Sequence, residues 1–168
     1  MILKLRMYSD ENENFIRDFE VPSSLTLRQL NDFILRSLDF SLCITSFFLL
    51  DGELELREEI TLMDMSDESM PSSPRQMEAV KISDVIQEGY MNLLLQFDMI
   101  LQRSFYLKIL GKAEERQGIC YPVMTFENAP APDQFDPDKV DPTEGSIFEE
   151  MMDGYSDFDE DNSKNDEW

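Results

Sequence analysis

The sequence predicts an α+β domain, a mixed or antiparallel β-sheet with one principal helix packed on a face, followed by an acidic C-terminal tail. Three observations lead there. The chain opens on two segments that alternate apolar and polar residues, the period of a half-buried strand. One long run then recurs at helical spacing. Further short apolar segments follow, separated by turn residues, until the composition changes beyond residue 132.

The first strand is ILKLRMY, residues 2 to 8, with Leu3, Leu5 and Met7 on one face. DENEN turns the chain into NFIRDFEVP, where Phe15, Phe19 and Val21 alternate with Ile16, Asp18 and Glu20, so the two strands form a hairpin. The principal helix is SSLTLRQLNDFILRSLDF: Thr26 and Gln29 offer a capping box, and Leu27, Leu30, Ile34 and Leu38 share a face with Phe33 beside them. ITSFFLLDGELEL reads as a strand ending in Asp51-Gly52, the signature of a two-residue hairpin turn. Residues 64 to 78 are low in hydrophobicity and punctuated by Pro, Ser and Met, which predicts a mobile surface loop. VKISDVIQEG predicts a short helix capped by Ser83. Two strands, residues 91 to 97 and 104 to 110, form a second hairpin, and ICYPVMTFE is a last extended segment. This places a single domain at residues 1 to 132.

Residues 133 to 168 hold 14 acids and only Lys139 and Lys164 as bases, and read as a tail. Within it GSIFEEMMDG carries a Ser146 and Glu149 capping box, predicting a short helix near residues 147 to 152. Phe148, Met151, Tyr155 and Phe158 are spaced among the acids, a pattern shared by docking motifs and by disordered solvating tails.

The formal charge is -22, from 36 acidic and 14 basic residues. Such a field repels phosphate backbones and anionic membrane surfaces, which argues against direct nucleic-acid or membrane binding. It attracts basic proteins and divalent cations, and it suits a nucleic-acid mimic. No run approaches the ~20 apolar residues that cross a bilayer, and no secretory leader is evident, so the expected location is cytoplasmic. Cys43 and Cys120 lie far apart in apolar contexts and read as reduced thiols.

The chain has no histidine, which removes Ser-His-Asp and Cys-His catalysis and HExxH zinc chemistry together. Its six glycines assemble no phosphate-binding loop. Paired acids such as Glu58-Glu59, Glu114-Glu115 and Glu149-Glu150 stand in polar surroundings and read as solvated. Asp157, Asp159 and Asp161 match the first ligand positions of a calcium loop, but Asn162 replaces its turn glycine and Trp168 its bidentate glutamate. No cofactor, metal site or catalytic residue is expected.

The most apolar stretch, LLLQFDMILQRSFYLKIL, carries one acid, Asp98, with Arg103 five residues on. A hairpin turn at residues 99 to 102 puts Asp98 at a strand end, where it either accepts turn N–H groups or pairs with Arg103. Met99, Ile100 and Leu101 are then an apolar tip, which should be covered by the tail's Ile147, Phe148, Met151 and Met152 or by a second molecule.

The order VPSSLTLRQLNDFI, SFFLL, LLLQFDMILQRSFYLKI and YPVMTFENAPAPD resembles the Ri-plasmid ORF-three-like family (plasmid pRiA ORF-3-like proteins) over about residues 2 to 136. Asp98 and Tyr121-Pro122 match that family's motifs. Ile100 replaces its glycine, Arg103 its tryptophan, Phe105 and Asn31 its histidines, and Pro130-Ala131-Pro132-Asp133 its proline-acid motif. The pattern is that of a divergent member from Bacteroides-like bacteria. The resemblance implies a partly ubiquitin-like (β-grasp-like) start and an association with plasmids and mobile elements, and no activity.

The functional expectation is a non-enzymatic cytosolic protein-interaction module, a monomer or weak homodimer with a protein partner of basic character. Its contacts would lie at Asp98, Met99, Ile100, Leu101 and Arg103 and at Phe148, Met151, Tyr155 and Phe158 of the tail. The alternative is an acidic nucleic-acid mimic or inhibitor of a DNA-acting protein; a hydrolase using Asp98 ranks third.

Overall fold

A computed structural model describes residues 1–139. The chain divides into two units, Met1–Gln134 and Phe135–Trp168. The first is mixed α+β, with eight strands and two α-helices among the described residues. The helix expected near 147 to 152 and the tail residues Phe148, Met151, Tyr155 and Phe158 lie outside them.

In chain order come β1 (Ile2–Ser9), β2 (Ile16–Pro22), α1 (Leu27–Ser37), β3 (Ser46–Leu50), β4 (Leu56–Thr61), β5 (Arg75–Gln76), a 3₁₀ turn (Met77–Ala79), α2 (Ile82–Gln87), β6 (Asn92–Asp98), β7 (Arg103–Ala113) and β8 (Val123–Asn128). They make one sheet in the order β5-β4-β3-β6-β7-β1-β2-β8. Every pairing is antiparallel except β4 with β5.

Alternation decides which side of the sheet is buried. Leu3, Leu5 and Met7 of β1, Phe19 and Val21 of β2, and Phe105, Leu107 and Ile109 of β7 join one core with Leu27, Leu30 and Ile34 of α1 and Ile82 and Val85 of α2. Both helices therefore cover the same face. The α1 cap is the box that Thr26 and Gln29 predict, with Gln29 N–H donating to Thr26 Oγ1 and Thr26 N–H to Gln29 Oε1.

Three local expectations need correction. Ser83 is not the cap of α2: Lys81 occupies that position and its N–H donates to Asp84 Oδ2, while the Ser83 N–H bonds Ser23 O. Ser83 stands inside the first turn instead, where its backbone N–H ties α2 to the connection between β2 and α1. Asp51-Gly52 is not a two-residue turn, since β3 and β4 are joined by residues 51 to 55. Asp51 Oδ1 accepts the N–H groups of Glu53 and Glu55, and Leu54 at φ 64° takes the left-handed position. Finally, the loop ends earlier than residue 78. Arg75–Gln76 pair with β4 and Met77 is fully buried, because one apolar side chain in a polar stretch is enough to anchor it.

Candidate functional site

The site that the sequence singles out lies at one end of the sheet. β6 stops at Asp98 and β7 starts at Arg103, directly opposite it in the ladder. Asp98 Oδ1 accepts the N–H groups of Ile100 and Leu101, both at 3.0 Å. Its lone pairs close the turn, and Gln102 at φ 54° completes the reversal.

Arg103 does not use Asp98. Its guanidinium, on a residue only 6% exposed, donates to Glu11 Oε1 at 3.0 Å, Gln134 O at 3.0 Å and Asp133 O at 2.6 Å. It also lies 4.9 Å over the Phe97 ring. Phe97 stacks on Phe105 at 4.8 Å, and Phe40 and Phe15 each approach the same pair edge-on or tilted. The planar fork of arginine satisfies three acceptors at once, and the rings beneath exclude water from them.

A second buried arginine, unforeseen in the sequence, repeats the arrangement. Arg17 faces the core side of β2 and lies 4.4 Å over Phe15, while its Nη1 donates to the carbonyls of Ile16, Asn128 and Ala129. Burial pulls its guanidinium below the ordinary arginine value, and Glu127 partly opposes that. The two arginines thus hold residues 128 to 134 at both ends, and Ala131 packs on the core between them. Gln134 continues the clasp by exchanging hydrogen bonds with the backbone of Ser41. Period-2 patterning reads an arginine as solvent-facing, so only its place in an apolar register could have exposed this role.

Asn31, on the inner side of α1, is buried and accepts from the Thr45 hydroxyl at 2.8 Å. Cys43 sits beside Gln134, and burial pushes its thiol up, which disfavours the reactive thiolate. Cys120 is exposed. Among the described residues no buried side-chain polar atom lacks a partner, and no three His, Cys, Asp or Glu side chains are grouped to hold a metal ion. No helix there is long and apolar enough to cross a membrane.

Ile100 is 93% exposed, and Met99 and Leu101 are exposed on either side of it. They are not alone. Ser46 lies opposite both Gln96 and Thr61, so the chain entering β3, the chain leaving β4 and the tip after β6 meet at one sheet end. Leu42, 85% exposed, and the exposed Ile44 precede β3, and the exposed Met63 follows β4, so the strand ends beside the tip also carry apolar side chains. The tail residues expected to cover the tip lie outside the described residues.

The fold itself has a solved counterpart. The crystal structure of a protein of unknown function from Methanosarcina mazei Go1 matches with a TM-score of 0.61 at 16% identity, over 75% of this chain and 68% of that one. What the two share is the fold. No protein-family model matches the chain, and no curated protein does.

Proposed function

We propose that this protein is a non-enzymatic interaction module that docks a basic, apolar-faced protein partner on the sheet end formed by Leu42, Ile44, Met63 and the tip at Met99, Ile100 and Leu101. The observation that carries this reading is the exposed tip: three large apolar side chains on a hairpin closed by Asp98 forgo roughly 25 cal/mol for each Å² that a partner would bury. Asp98 and the net charge of -22 favour a basic partner around that apolar centre. Asp98 serves the turn in this reading, as its two N–H bonds suggest, and not hydrolysis. The tail residues Phe148, Met151, Tyr155 and Phe158 are assigned to the same docking role on their sequence pattern.

The resemblance to the Ri-plasmid ORF-three-like family belongs to this proposal, with a role in a mobile element and a cytoplasmic location. The partly ubiquitin-like start is supported by the β1–β2 hairpin followed directly by α1; the antiparallel β1–β7 pairing is where it departs. The charge of -22 also favours a second reading, an acidic mimic of nucleic acid that occupies a DNA-acting protein.

Affinity purification from the native host at low and high salt, with wild type beside a Met99→Asn, Ile100→Gly, Leu101→Ser variant, separates them. Apolar docking predicts a protein retained at high salt by wild type and lost with the variant. Capture that vanishes with salt and ignores the variant would favour the mimic.

A further inference from the structure

The face of the sheet turned away from both helices carries a row of apolar and aromatic side chains. Ile16 lies opposite Tyr8, Tyr8 opposite Tyr106, Tyr106 opposite Leu94, and Leu94 opposite Phe48. Cross-strand partners point to the same side, and the residues that flank this row along the strands, Met7, Phe105, Leu107, Leu95 and Phe47, are all in the helix-covered core. None of the row is. Tyr106 is exposed, and its four row partners are half-buried.

The next positions along β1 and β7 are basic. Arg6 lies opposite Lys108 on one side and Asp18 on the other, and Lys4 lies opposite Glu20. Arg6 is neutralised by Asp18 through bonds of 2.6 and 2.7 Å, and Glu20 by Arg116 at 2.6 Å. Lys4 and Lys108 have no acid in salt-bridge range among the described residues, although the chain has 36 acids to 14 bases. Glu59, opposite Phe48, is the acid at the far end of the row.

We propose that this open face binds an acidic peptide segment of another protein, with apolar or aromatic side chains seated on the Tyr8–Tyr106–Leu94–Phe48 row and carboxylates paired to Lys4 and Lys108. An exposed aromatic beside a lysine supplies both halves of such recognition, apolar area and local charge. The charge of -22 acts over a Debye length of about 8 Å and weighs more heavily against a polyphosphate chain than against a short peptide with few charges. The surface is distinct from the sheet end proposed above, and the sign of its partner is opposite.

The test is fluorescence anisotropy of the full chain with a short labelled peptide that alternates Glu with Leu and Tyr, beside the same peptide with Lys in place of Glu. The Glu peptide should bind and the Lys peptide should not. Lys4→Glu with Lys108→Glu should weaken binding roughly tenfold or more, as should rising salt, and Tyr106→Ala should weaken it without lowering the melting temperature. If the double reversal fails to fold, Lys4→Ala with Lys108→Gln gives the same reading with a smaller loss. Equal binding of both peptides, or binding untouched by the lysine and Tyr106 changes, overturns the proposal. So does tighter binding of oligothymidylate through the same lysines, a wild-type dimer that the double reversal splits, or a zero-length cross-link from Lys108 to a carboxylate beyond residue 139 of its own chain.

Discussion

Arg103 gathers three acceptors from two separate places, the β1–β2 turn and the segment at residues 133 and 134, and that gives a single side chain a large share of the order at this sheet end. Arg103→Ala leaves Glu11 and two carbonyls with their partner gone beside stacked rings, so it should cost on the order of 2 to 4 kcal/mol in urea unfolding. Arg103→Lys should recover less than half of that, because one ammonium cannot span the same acceptors. A loss under about 0.5 kcal/mol for both would show that the three bonds contribute nothing net. Asp98→Asn keeps an acceptor oxygen for the Ile100 and Leu101 N–H groups and should be mild, whereas Asp98→Leu should cost roughly 1 to 3 kcal/mol. Asp98 was legible in the sequence as a short acid before a turn. The partners of Arg103 were not, since Glu11 and Gln134 lie 92 and 31 residues away and no local pattern links them.

The β3–β4 connection shows how an element departs from its signature. Asp51-Gly52 suggests a glycine at positive φ, yet Leu54 holds the left-handed position and a Cβ at Gly52 would meet nothing within 4 Å. Leu54→Gly should therefore stabilise the protein by about 0.5 kcal/mol, relief of left-handed strain less the entropy of glycine. Gly52→Ala should be neutral or gain up to about 1 kcal/mol, and a loss of that size in thermal unfolding would restore the two-residue turn. Asp51 holds this loop through backbone N–H groups, Glu55 first, and through Arg57, so its carboxyl lies below the ordinary aspartate value. A carboxyl depressed in the folded state supports the fold above its unfolded pKa, near 3.9, and that support is lost as pH falls through the lower folded value. The Asp51 side-chain carboxyl resonance should accordingly titrate with a midpoint below the ordinary aspartate value. A midpoint above 4 would mean that the carboxylate does not carry the loop. Strands with strict alternation, and the helix with its Thr26–Gln29 box, were legible because one local period governs them. The cap of α2 was not, because Asp84 reaches back across the first turn while Ser83 is engaged by Ser23.

At the scale of the whole molecule, the class of the fold followed from the sequence because alternation and amphipathicity survive without knowledge of neighbours. Strand order did not follow: β3 pairs with β6 and β1 with β7 across long separations, and nothing in either strand encodes its partner. The boundary at residue 132 also cuts inside the first unit, since Asp133 and Gln134 hold Arg103 and Ser41. A chain ending at residue 134 should be more stable than one ending at 132 by roughly 1 to 3 kcal/mol, for the latter leaves the buried guanidinium only Glu11 of its three acceptors. Equal melting temperatures would remove the clasp from the account. The apolar sheet end was legible only at its tip, because Leu42, Ile44 and Met63 join it through the sheet. Its use as a docking surface is tested most directly by hydrogen–deuterium exchange of the full chain alone and in complex with whatever protein the purification retains. The account predicts protection concentrated at residues 41 to 46 and 97 to 105. Protection confined to other strands, with both of these segments exchanging as in the free protein, would contradict it.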